Sequence, residues 1–330
     1  MIRLAMLGAL AALILNGSAY ADYTQRADVR AYLSAVSAEH GFSPAELNDL
    51  FSRAQRKQSI LDAIARPAER TLEWHEYRDI FLKEPRITQG LEFWASHAGV
   101  LEAAEAEFGV APEYVVAILG VETRYGRITG GFRVLDALTT LAFDYPPRSD
   151  FFRRELTEFL LLAREEGRDP TALTGSYAGA MGYGQFIPSS FRAYAVDFDD
   201  DGLRDIWGSP EDAVGSIANY FAVHGWRAGE PVVLPATATG DGPAELANST
   251  LNLTHSIAEL RELGVTVAGV DGDQRAALFR MKGKEEAAYW VGLNNFYVIT
   301  RYNRSRLYAL AVHELAQAIK DRRRASVAER

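Results

Sequence analysis

A glutamate on the apolar face of a predicted helix is the feature that most constrains how this 330-residue chain can fold. The segment from Pro112 to Gly126 predicts a helix, since proline suits a first helical position and glycine suits a helix end. Glu122 shares a face of this helix with Ile118 and Leu119, which lie four and three residues before it. Burial and the negative end of the helix dipole both disfavour a charged carboxylate there, so we expect the pKa of Glu122 to be raised.

A glutamate with a raised pKa is suited to general acid catalysis. The alternative is a structural glutamate that is neutralised by Arg124 or Arg127, because structural ion pairs also perturb pKa values. The helix alone leaves both interpretations open.

The N-terminus predicts export. Residues 1–21 contain one basic residue, Arg3, an apolar run over residues 4–15 and the motif Ala19-Tyr20-Ala21, as in a secretory signal peptide. The run is too short to span a bilayer as a transmembrane helix, and the sequence has no cysteine for a disulfide or a lipid anchor. We therefore expect a soluble periplasmic protein that begins at Asp22 and is not inserted in a membrane. The net charge of −9 argues against nucleic acid as the main partner.

Helical periodicity runs through residues 24–110 and returns in later segments. Individual helices are predicted at residues 89–108, 151–166, 212–225 and 305–323. A stretch rich in Pro, Gly, Ala and Thr at 231–243 predicts a linker or a short extended element, and strands are predicted at 276–281, 287–292 and 295–302. The predicted fold class is therefore mainly α, with a small β-containing element (α+β).

The segment Gly175–Phe191 has four glycines within ten residues, mixed with Tyr, Met and Gln. Glycine at this density allows a backbone to approach another backbone or a ligand closely. Gln185 can donate and accept hydrogen bonds, which suits sugar hydroxyl and acetamido groups, and the hydroxyl of Ser176 could orient a nearby carboxyl group. The segment lacks the Gly-Lys-Ser/Thr ending of a phosphate-binding loop. A tightly packed structural turn is the alternative.

These motifs resemble the lytic murein transglycosylase B family over nearly the whole chain after residue 21. The matching segments occur in the family's order: Gly120–Gly126, Gly175–Phe191, Asn219–Trp226, Phe296–Asn303 and Tyr308–Val312. The resemblance implies a lysozyme-like fold. It divides the chain into a helical region (22–110), a catalytic core with an EF-hand-like loop (111–230), a linker with a small β element (231–302) and a C-terminal helix that packs back on the core (303–330).

The resemblance also implies roles for individual residues. Glu122 matches the single catalytic acid, and Ser176 matches a residue that hydrogen-bonds it. The residues that match the lining of the glycan cleft are Gln185, Phe186, Tyr220, Tyr302, Asn303 and Tyr308. For the three tyrosines, packing in the core is the alternative. The chain departs from the family at Ile187, where methionine is common, and the similar volume makes a large effect unexpected.

An acidic loop predicts a metal site. Residues 197–205 place acids at positions one, three, five and nine of an EF-hand loop and glycine at position six, but position twelve is Gly208 rather than glutamate. The resemblance implies a longer loop that is closed by Asp212, with Glu211 as a possible substitute. The expected ligands of a structural Ca²⁺ or Na⁺ are Asp197, Asp199, Asp201, the carbonyl of Leu203 and Asp212. The alternative is an acidic surface turn without an ion, although clustered carboxylates repel one another.

The activity implied by the resemblance is non-hydrolytic cleavage of the β-1,4 bond between N-acetylmuramic acid and N-acetylglucosamine in peptidoglycan strands. The products would carry 1,6-anhydro ends, and no cofactor is expected for the catalysis. One alternative is a hydrolytic muramidase with Asp144 or Asp150 as a second acid. Another is a non-catalytic scaffold that binds peptidoglycan. Protein partners from the wall-synthesis machinery are possible, and the sequence identifies none.

Overall fold

The computed structural model describes residues 22–65 and 72–328. The predicted signal peptide, residues 1–21, lies outside the described residues. The chain divides into two compact units, Met1–Arg56 and Lys57–Arg330. The boundaries predicted after residues 110, 230 and 302 stay predictions.

The first unit is helical where it is described. Its helices are α1 (Ala27–His40) and α2 (Pro44–Ser52). Helix α1 ends at Gly41, whose φ of 70° is a left-handed conformation that glycine adopts without strain. The Ser43 side chain accepts a hydrogen bond from the Glu46 N–H and so caps α2. Leu33 and Phe51 are buried in this unit.

The second unit contains the remaining helices and all of the strands among the described residues. Its helices are α3 (Gln58–Ile64), α4 (Trp74–Phe81), α5 (Glu84–Ser96), α6 (Ala98–Phe108), α7 (Pro112–Thr123), α8 (Val134–Asp144), α9 (Ser149–Glu165), α10 (Pro188–Tyr194), α11 (Pro210–Val223), α12 (Gly242–Leu246), α13 (Ile257–Glu262), α14 (Asn294–Tyr302) and α15 (Arg306–Ala328). Its strands are β1 (Phe132–Arg133), β2 (Thr174–Gly175), β3 (Val233–Ala238), β4 (His255–Ser256), β5 (Val265–Thr266), β6 (Arg275–Lys282) and β7 (Ala287–Gly292).

Helix α7 lies at the centre of the second unit. Val116, Ala117 and Ile118 have no exposed surface, and the helix is apolar on nearly every side, as expected of a helix surrounded by others. Helices α5, α6, α11 and α15 all pack against it. Glu122 is therefore carried by an element that its neighbours hold in place.

Five strands form an antiparallel sheet in the order β4-β6-β7-β3-β5. Strand β7 is central, with Val291 opposite Leu278 of β6 on one side and opposite Leu234 of β3 on the other. This sheet has a hydrophobic core of its own with helix α13, made of Ile257, Leu260, Val265, Val267, Ala276, Leu278, Val291 and Leu293. Strands β1 and β2 form a separate antiparallel pair. The prediction of a mainly helical, lysozyme-like fold with a small β element is confirmed.

Two predicted elements were wrong. The long helix predicted at 89–108 is broken at His97, whose φ of −123° is not helical and whose ring stacks on Phe93 at 4.3 Å. The strand predicted at 295–302 is helix α14. Its β-branched residues favour a strand locally, but the buried Asn295, Phe296, Val298 and Ile299 follow helical spacing, and packing against α15 decides the conformation.

Along the part of the chain that the structure describes, no helix combines the length and the apolar character that crossing a membrane requires.

Candidate active site

Glu122 lies in the last turn of α7 and is half-buried. The hydroxyl of Tyr308, in the first turn of α15, donates a hydrogen bond to Glu122 Oε1 at 2.5 Å. Burial, together with the negative charge of Glu122, holds the pKa of the Tyr308 phenol well above its ordinary value. The phenol therefore stays protonated at neutral pH and acts as a donor to the carboxyl group.

The chain turns sharply after Glu122. Helix α7 ends at Thr123 rather than at Gly126 as predicted, because Arg124, Tyr125 and Gly126 have φ values of 50°, 61° and 80°. Two consecutive non-glycine residues in the left-handed region are costly and persist only where the surroundings enforce them. The turn next to Glu122 is thus held by its packing.

Arg86 and Tyr125 supply part of that restraint. The Tyr125 hydroxyl donates to the Arg86 carbonyl at 2.8 Å, and Arg86 Nη1 donates to the Gly120 carbonyl at 2.7 Å. Both side chains are buried, and burial lowers the pKa of Arg86. Sequence reasoning missed this pair, because Arg86 is 34 residues from its acceptor and no local pattern marks the contact.

The glycine-rich segment packs directly on this turn. Thr123 Oγ1 donates to the Tyr183 carbonyl at 2.8 Å and accepts the Gly126 N–H at 2.9 Å. A Cβ at Gly126 would lie 1.9 Å from the Tyr183 ring, and one at Gly182 would lie 2.4 Å from a backbone oxygen. The close backbone approach that the glycines predicted is confirmed.

Ser176 and Gln185 are tied into the same segment. Ser176 Oγ accepts the N–H groups of Ala178 and Ala180, and these bonds leave its own proton available for a donor contact. Gln185 Nε2 donates to the carbonyls of Thr129 and Gly182 at 3.0 and 2.9 Å, so its amide oxygen is left as an acceptor. The predicted hydrogen bond from Ser176 to Glu122 stays a prediction.

Phe186, Tyr220 and Tyr302 form one aromatic cluster. The Phe186 ring lies 5.8 Å from each tyrosine ring, and the two tyrosine rings are 4.8 Å apart. The hydroxyls of Tyr220 and Tyr302 donate to the carbonyls of Arg301 and Gly184, and burial raises the pKa of both phenols. Tyr220 and Tyr302 thus pack against Phe186 of the glycine-rich segment, and the predicted contact of all three rings with glycan stays a prediction.

The structure contains a large groove of about 1660 Å³, and neither Glu122 nor the aromatic cluster is among the described residues that line it. Asn303, one of the predicted cleft residues, lines it together with Tyr177 and Ile187, which belong to the glycine-rich segment. The groove continues along β6 and along residues 248–252. Its volume exceeds that of an ordinary small-molecule pocket and suits an extended ligand.

The acidic loop brings three of the predicted metal ligands together. Oxygen atoms of Asp197, Asp199 and Asp212 all lie within 4.8 Å of one another. Asp212 has no exposed surface, and its two oxygens accept the N–H groups of Phe198 and Asp205 at 2.7 and 2.6 Å. Burial raises the pKa of Asp212.

The fourth predicted carboxylate ligand is not part of this cluster. Asp201 is outside the cluster of three, and its carboxylate accepts the N–H of Leu203 at 2.8 Å. Ser209, which sequence reasoning missed, donates to Asp199 at 2.9 Å while it caps α11. A buried carboxylate with two others beside it fits a hard cation with oxygen ligands, because the cation would offset their repulsion.

Known proteins resemble this chain over most of its length. The family model "Transglycosylase SLT domain" matches residues 24–317. The membrane-bound lytic murein transglycosylase B of Escherichia coli is 42% identical over 308 residues, which cover 90% of this chain and 84% of the relative. The soluble lytic transglycosylase SltB1 of Pseudomonas aeruginosa is 54% identical, with a TM-score of 0.86 over 90% of this chain and 99% of that one.

A further solved structure is that of the E. coli lytic transglycosylase Slt35 in complex with calcium. It is 40% identical, with a TM-score of 0.81 over 93% of this chain and 95% of that one. The family match includes both the turn at Glu122 and the acidic loop. This chain belongs to the family of lytic murein transglycosylases that carry the SLT domain.

Proposed function

We propose that this lytic murein transglycosylase cleaves the β-1,4 bond between N-acetylmuramic acid and N-acetylglucosamine in peptidoglycan strands without using water, with Glu122 as its single acid and base. The observation that carries the proposal is the half-buried Glu122 carboxyl group, which accepts the Tyr308 hydroxyl at the end of a fully packed helix. A carboxyl group held in this way can exchange protons from a fixed position.

In the first step, Glu122 would give its proton to the glycosidic oxygen as the bond from that oxygen to C1 breaks. Because Tyr308 donates to Oε1, the proton to be transferred would be on Oε2. In the second step, the Glu122 carboxylate would take the proton of the muramoyl C6 hydroxyl as that oxygen bonds to C1. The product is a 1,6-anhydro end, and Glu122 is protonated again.

One carboxyl group suffices because the proton leaves and returns on the same side of the sugar. Ordinary glycosidases use a second carboxylate to stabilise C1 or to activate water. The family resemblance implies that the acetamido group of the substrate takes that place here. Ser176 would orient Glu122, and the amide oxygen of Gln185 would accept hydrogen bonds from the sugar.

We assign the acidic loop to a structural cation, Ca²⁺ or Na⁺, held by Asp197, Asp199 and Asp212 with Asp201 and the Leu203 carbonyl as further ligands. Support comes from the buried Asp212 beside two other carboxylates and from the calcium complex of Slt35. The ion would neutralise the negative charge of the carboxylates in the loop before α11. The proton transfers at Glu122 do not involve it.

We place the protein in the periplasm. The signal-peptide pattern of residues 1–21 supports this location, as does membership of a family whose members act on murein. Peptidoglycan strands are its proposed partner, and the groove beside Asn303 is large enough to hold an extended chain of sugars.

Digestion of purified sacculi followed by mass spectrometry tests the function. Wild-type protein should release muropeptides with anhydro ends, which are lighter than reducing ends by the mass of one water. Reducing ends as the sole product would identify a hydrolytic muramidase. If folded wild-type protein releases no muropeptides, the non-catalytic scaffold that binds peptidoglycan is the remaining interpretation.

A further inference from the structure

The hydroxyl of Thr123 lies next to Glu122 in the chain and bonds to two different segments. Thr123 is the last residue of α7, and only 1% of its surface is exposed. Its hydroxyl donates to the Tyr183 carbonyl at 2.8 Å and accepts the Gly126 N–H at 2.9 Å. Its own carbonyl accepts the Ile128 N–H at 2.9 Å. One residue therefore joins the turn after Glu122 to the glycine-rich segment.

The Thr123 hydroxyl has one proton and two carbonyl oxygens within reach. A threonine inside a helix often donates to the carbonyl four residues earlier, which here is that of Leu119. That contact is 3.3 Å long, whereas the contact with the Tyr183 carbonyl is 2.8 Å. The shorter contact has the better hydrogen-bond distance, so the hydroxyl is directed across to the glycine-rich segment rather than back along its own helix.

The acceptor on the glycine-rich segment is itself held in place. The Tyr183 N–H donates to the Ile206 carbonyl at 2.9 Å, and the Tyr183 ring packs so tightly on Gly126 that a Cβ there would lie 1.9 Å from it. A second hydrogen bond joins the segment to the loop after the turn, from Gln185 Nε2 to the Thr129 carbonyl at 3.0 Å. A hydroxyl that is bonded to a fixed acceptor restrains the residue that carries it.

Glu122 lies where a helix is ordinarily least well ordered. The last carbonyls of a helix have no partner within the helix, and helix ends fray. Arg124 and Tyr125, which follow Thr123, have φ values of 50° and 61°, and this left-handed conformation is unfavourable for residues other than glycine. Without the bonds from Thr123, relief of this strain would shift the neighbouring residues, and Glu122 is the nearest of them on the helix side.

We propose that Thr123 is a positioning residue, which fixes the Glu122 carboxyl group relative to the glycine-rich segment. The inference rests on the proposed function, because it takes Glu122 as the acid and Ser176 and Gln185 of the segment as part of the substrate site. Thr123 acts through the backbone of α7 and of Tyr183, without a contact to the sugar. A reacting group that is misplaced by about 1 Å costs up to about a hundredfold in rate, so loss of this restraint should lower kcat.

A purely structural role for the buried hydroxyl is the alternative. A buried hydroxyl that has its hydrogen-bond partners stabilises a fold wherever it lies, without any effect on a reaction. Thr140 provides the comparison, because it is buried on another helix, α8, and its Oγ1 accepts the Lys57 N–H at 3.1 Å. The same substitution at the two positions therefore separates a loss of stability from a loss of positioning.

Steady-state cleavage of soluble peptidoglycan strands by three variants tests the proposal. Thr123→Val nearly keeps the shape of the side chain and removes the hydroxyl, whereas Thr123→Ser keeps the hydroxyl and removes the methyl group. Thr140→Val removes the buried hydroxyl of α8. Thermal melting of each variant identifies a temperature at which all of them are folded, and the kinetics are measured there.

We expect Thr123→Val to lower kcat by about tenfold and to change KM by less than about twofold, because the restraint acts on the reacting carboxyl group rather than on binding. Thr123→Ser should keep kcat within about twofold of wild type, since its hydroxyl can make the same bonds. Thr140→Val should lose stability and keep the wild-type kcat.

The proposal is refuted if folded Thr123→Val has the wild-type kcat, if Thr123→Ser loses as much activity as Thr123→Val, or if Thr140→Val loses as much as either. Should Thr123→Val fail to fold, hydrogen exchange at the Gly126 amide of the wild-type protein decides. This half-buried amide should exchange slowly, because it is bonded to Thr123 Oγ1. Exchange as fast as in an unstructured chain would refute the restraint.

These outcomes are separable from the product analysis. A wild-type kcat in Thr123→Val together with anhydro products would refute the positioning role and leave the proposed function intact. Hydrolytic products would refute the proposed function, whereas a kcat lowered in Thr123→Val and restored in Thr123→Ser would still support positioning of the acid.

Discussion

Glu122 and Asp212 are both carboxyl groups in the second unit, yet their surroundings differ in kind. Glu122 is half-buried, and its Oε1 accepts one phenolic hydroxyl. Asp212 is fully buried, accepts two backbone N–H groups and has Asp197 and Asp199 close by. One carboxyl group has a neutral donor at its side, whereas the other is surrounded by further negative charge.

This difference is the one we expect between a carboxyl group that carries protons and a carboxylate that binds a cation. A carboxyl group beside a neutral phenol can take either protonation state without disturbing its surroundings. A carboxylate whose two oxygens bind backbone N–H groups supports the loop, and clustered carboxylates gain from a cation. We therefore expect changes at Glu122 to affect the rate, and changes at Asp212 to affect the stability.

The largest expected effect is that of Glu122→Gln on activity. Glutamine cannot donate a proton to the glycosidic oxygen, so the release of soluble muropeptides should fall by about a thousandfold or more. The melting temperature should stay close to that of wild type. Glu92→Gln, at an exposed position that pairs with Arg127, is the matched control and should keep full activity. Equal activity in the two variants would contradict the role of Glu122 as the acid.

Asp212→Asn should lower the stability rather than the rate. Two backbone N–H groups would face an amide that can satisfy only one of them, at a cost of about 1–3 kcal/mol. With Ca²⁺ at about a hundred times its dissociation constant, a further loss of about 2.7 kcal/mol is expected as binding fails. Melting with and without chelator measures both terms.

The matched control is Asp200→Asn, since Asp200 is exposed and is not one of the three clustered carboxylates. It should change the stability by less than about 0.5 kcal/mol. For wild type, a chelator should lower the melting temperature more than it lowers activity at room temperature. An immediate and complete loss of activity would mean that the ion takes part in the reaction.

His313 on α15 should make the stability depend on pH independently of Glu122 and Asp212. Burial lowers the pKa of His313 from 6.5 to about 4. The folded state therefore keeps His313 neutral while the unfolded state takes up a proton. Stability should fall as the pH drops from 6.5 towards 4, by up to about 3 kcal/mol from this group.

Denaturant unfolding at several pH values measures this contribution. His313→Gln should lose less stability over the same range, because glutamine does not titrate. His255→Gln, in strand β4, is the control and should follow wild type. An identical pH dependence in the wild-type protein and in His313→Gln would contradict the assignment.

The smallest expected effect is that of Tyr308→Phe. Removing the hydroxyl leaves Glu122 without this donor and should lower kcat by about tenfold with little change in KM, since one hydrogen bond to a charged group is lost. Tyr289→Phe in β7 is the control and should be neutral. A kcat equal to that of wild type would mean that the phenol does not position the carboxyl group.

Local signals in the sequence predicted much of this site. Proline marked the start of helix α7, although the helix ends three residues before Gly126. The glycine density of Gly175–Phe191 predicted close packing that the structure confirms. The alternation of acids in residues 197–205 predicted a loop whose carboxylates partly converge. In each case the cause lies within a few residues of the effect.

Other features depend on contacts between distant residues. Tyr308 is 186 residues from Glu122, and Arg86 reaches its acceptor across 34 residues, so no local pattern reveals either bond. The segment 295–302 was predicted to be a strand from its β-branched residues, whereas packing on α15 makes it a helix. Periodicity also missed the break at His97, because the apolar pattern continues on both sides of it.

The most direct test of the central claim is digestion of sacculi in water enriched in ¹⁸O, followed by mass spectrometry of the new sugar ends. If Glu122 passes its proton to the glycosidic oxygen and the C6 hydroxyl closes on C1, the ends carry no ¹⁸O. Incorporation of one ¹⁸O at C1 of every new end would show that water attacks, and would contradict the account.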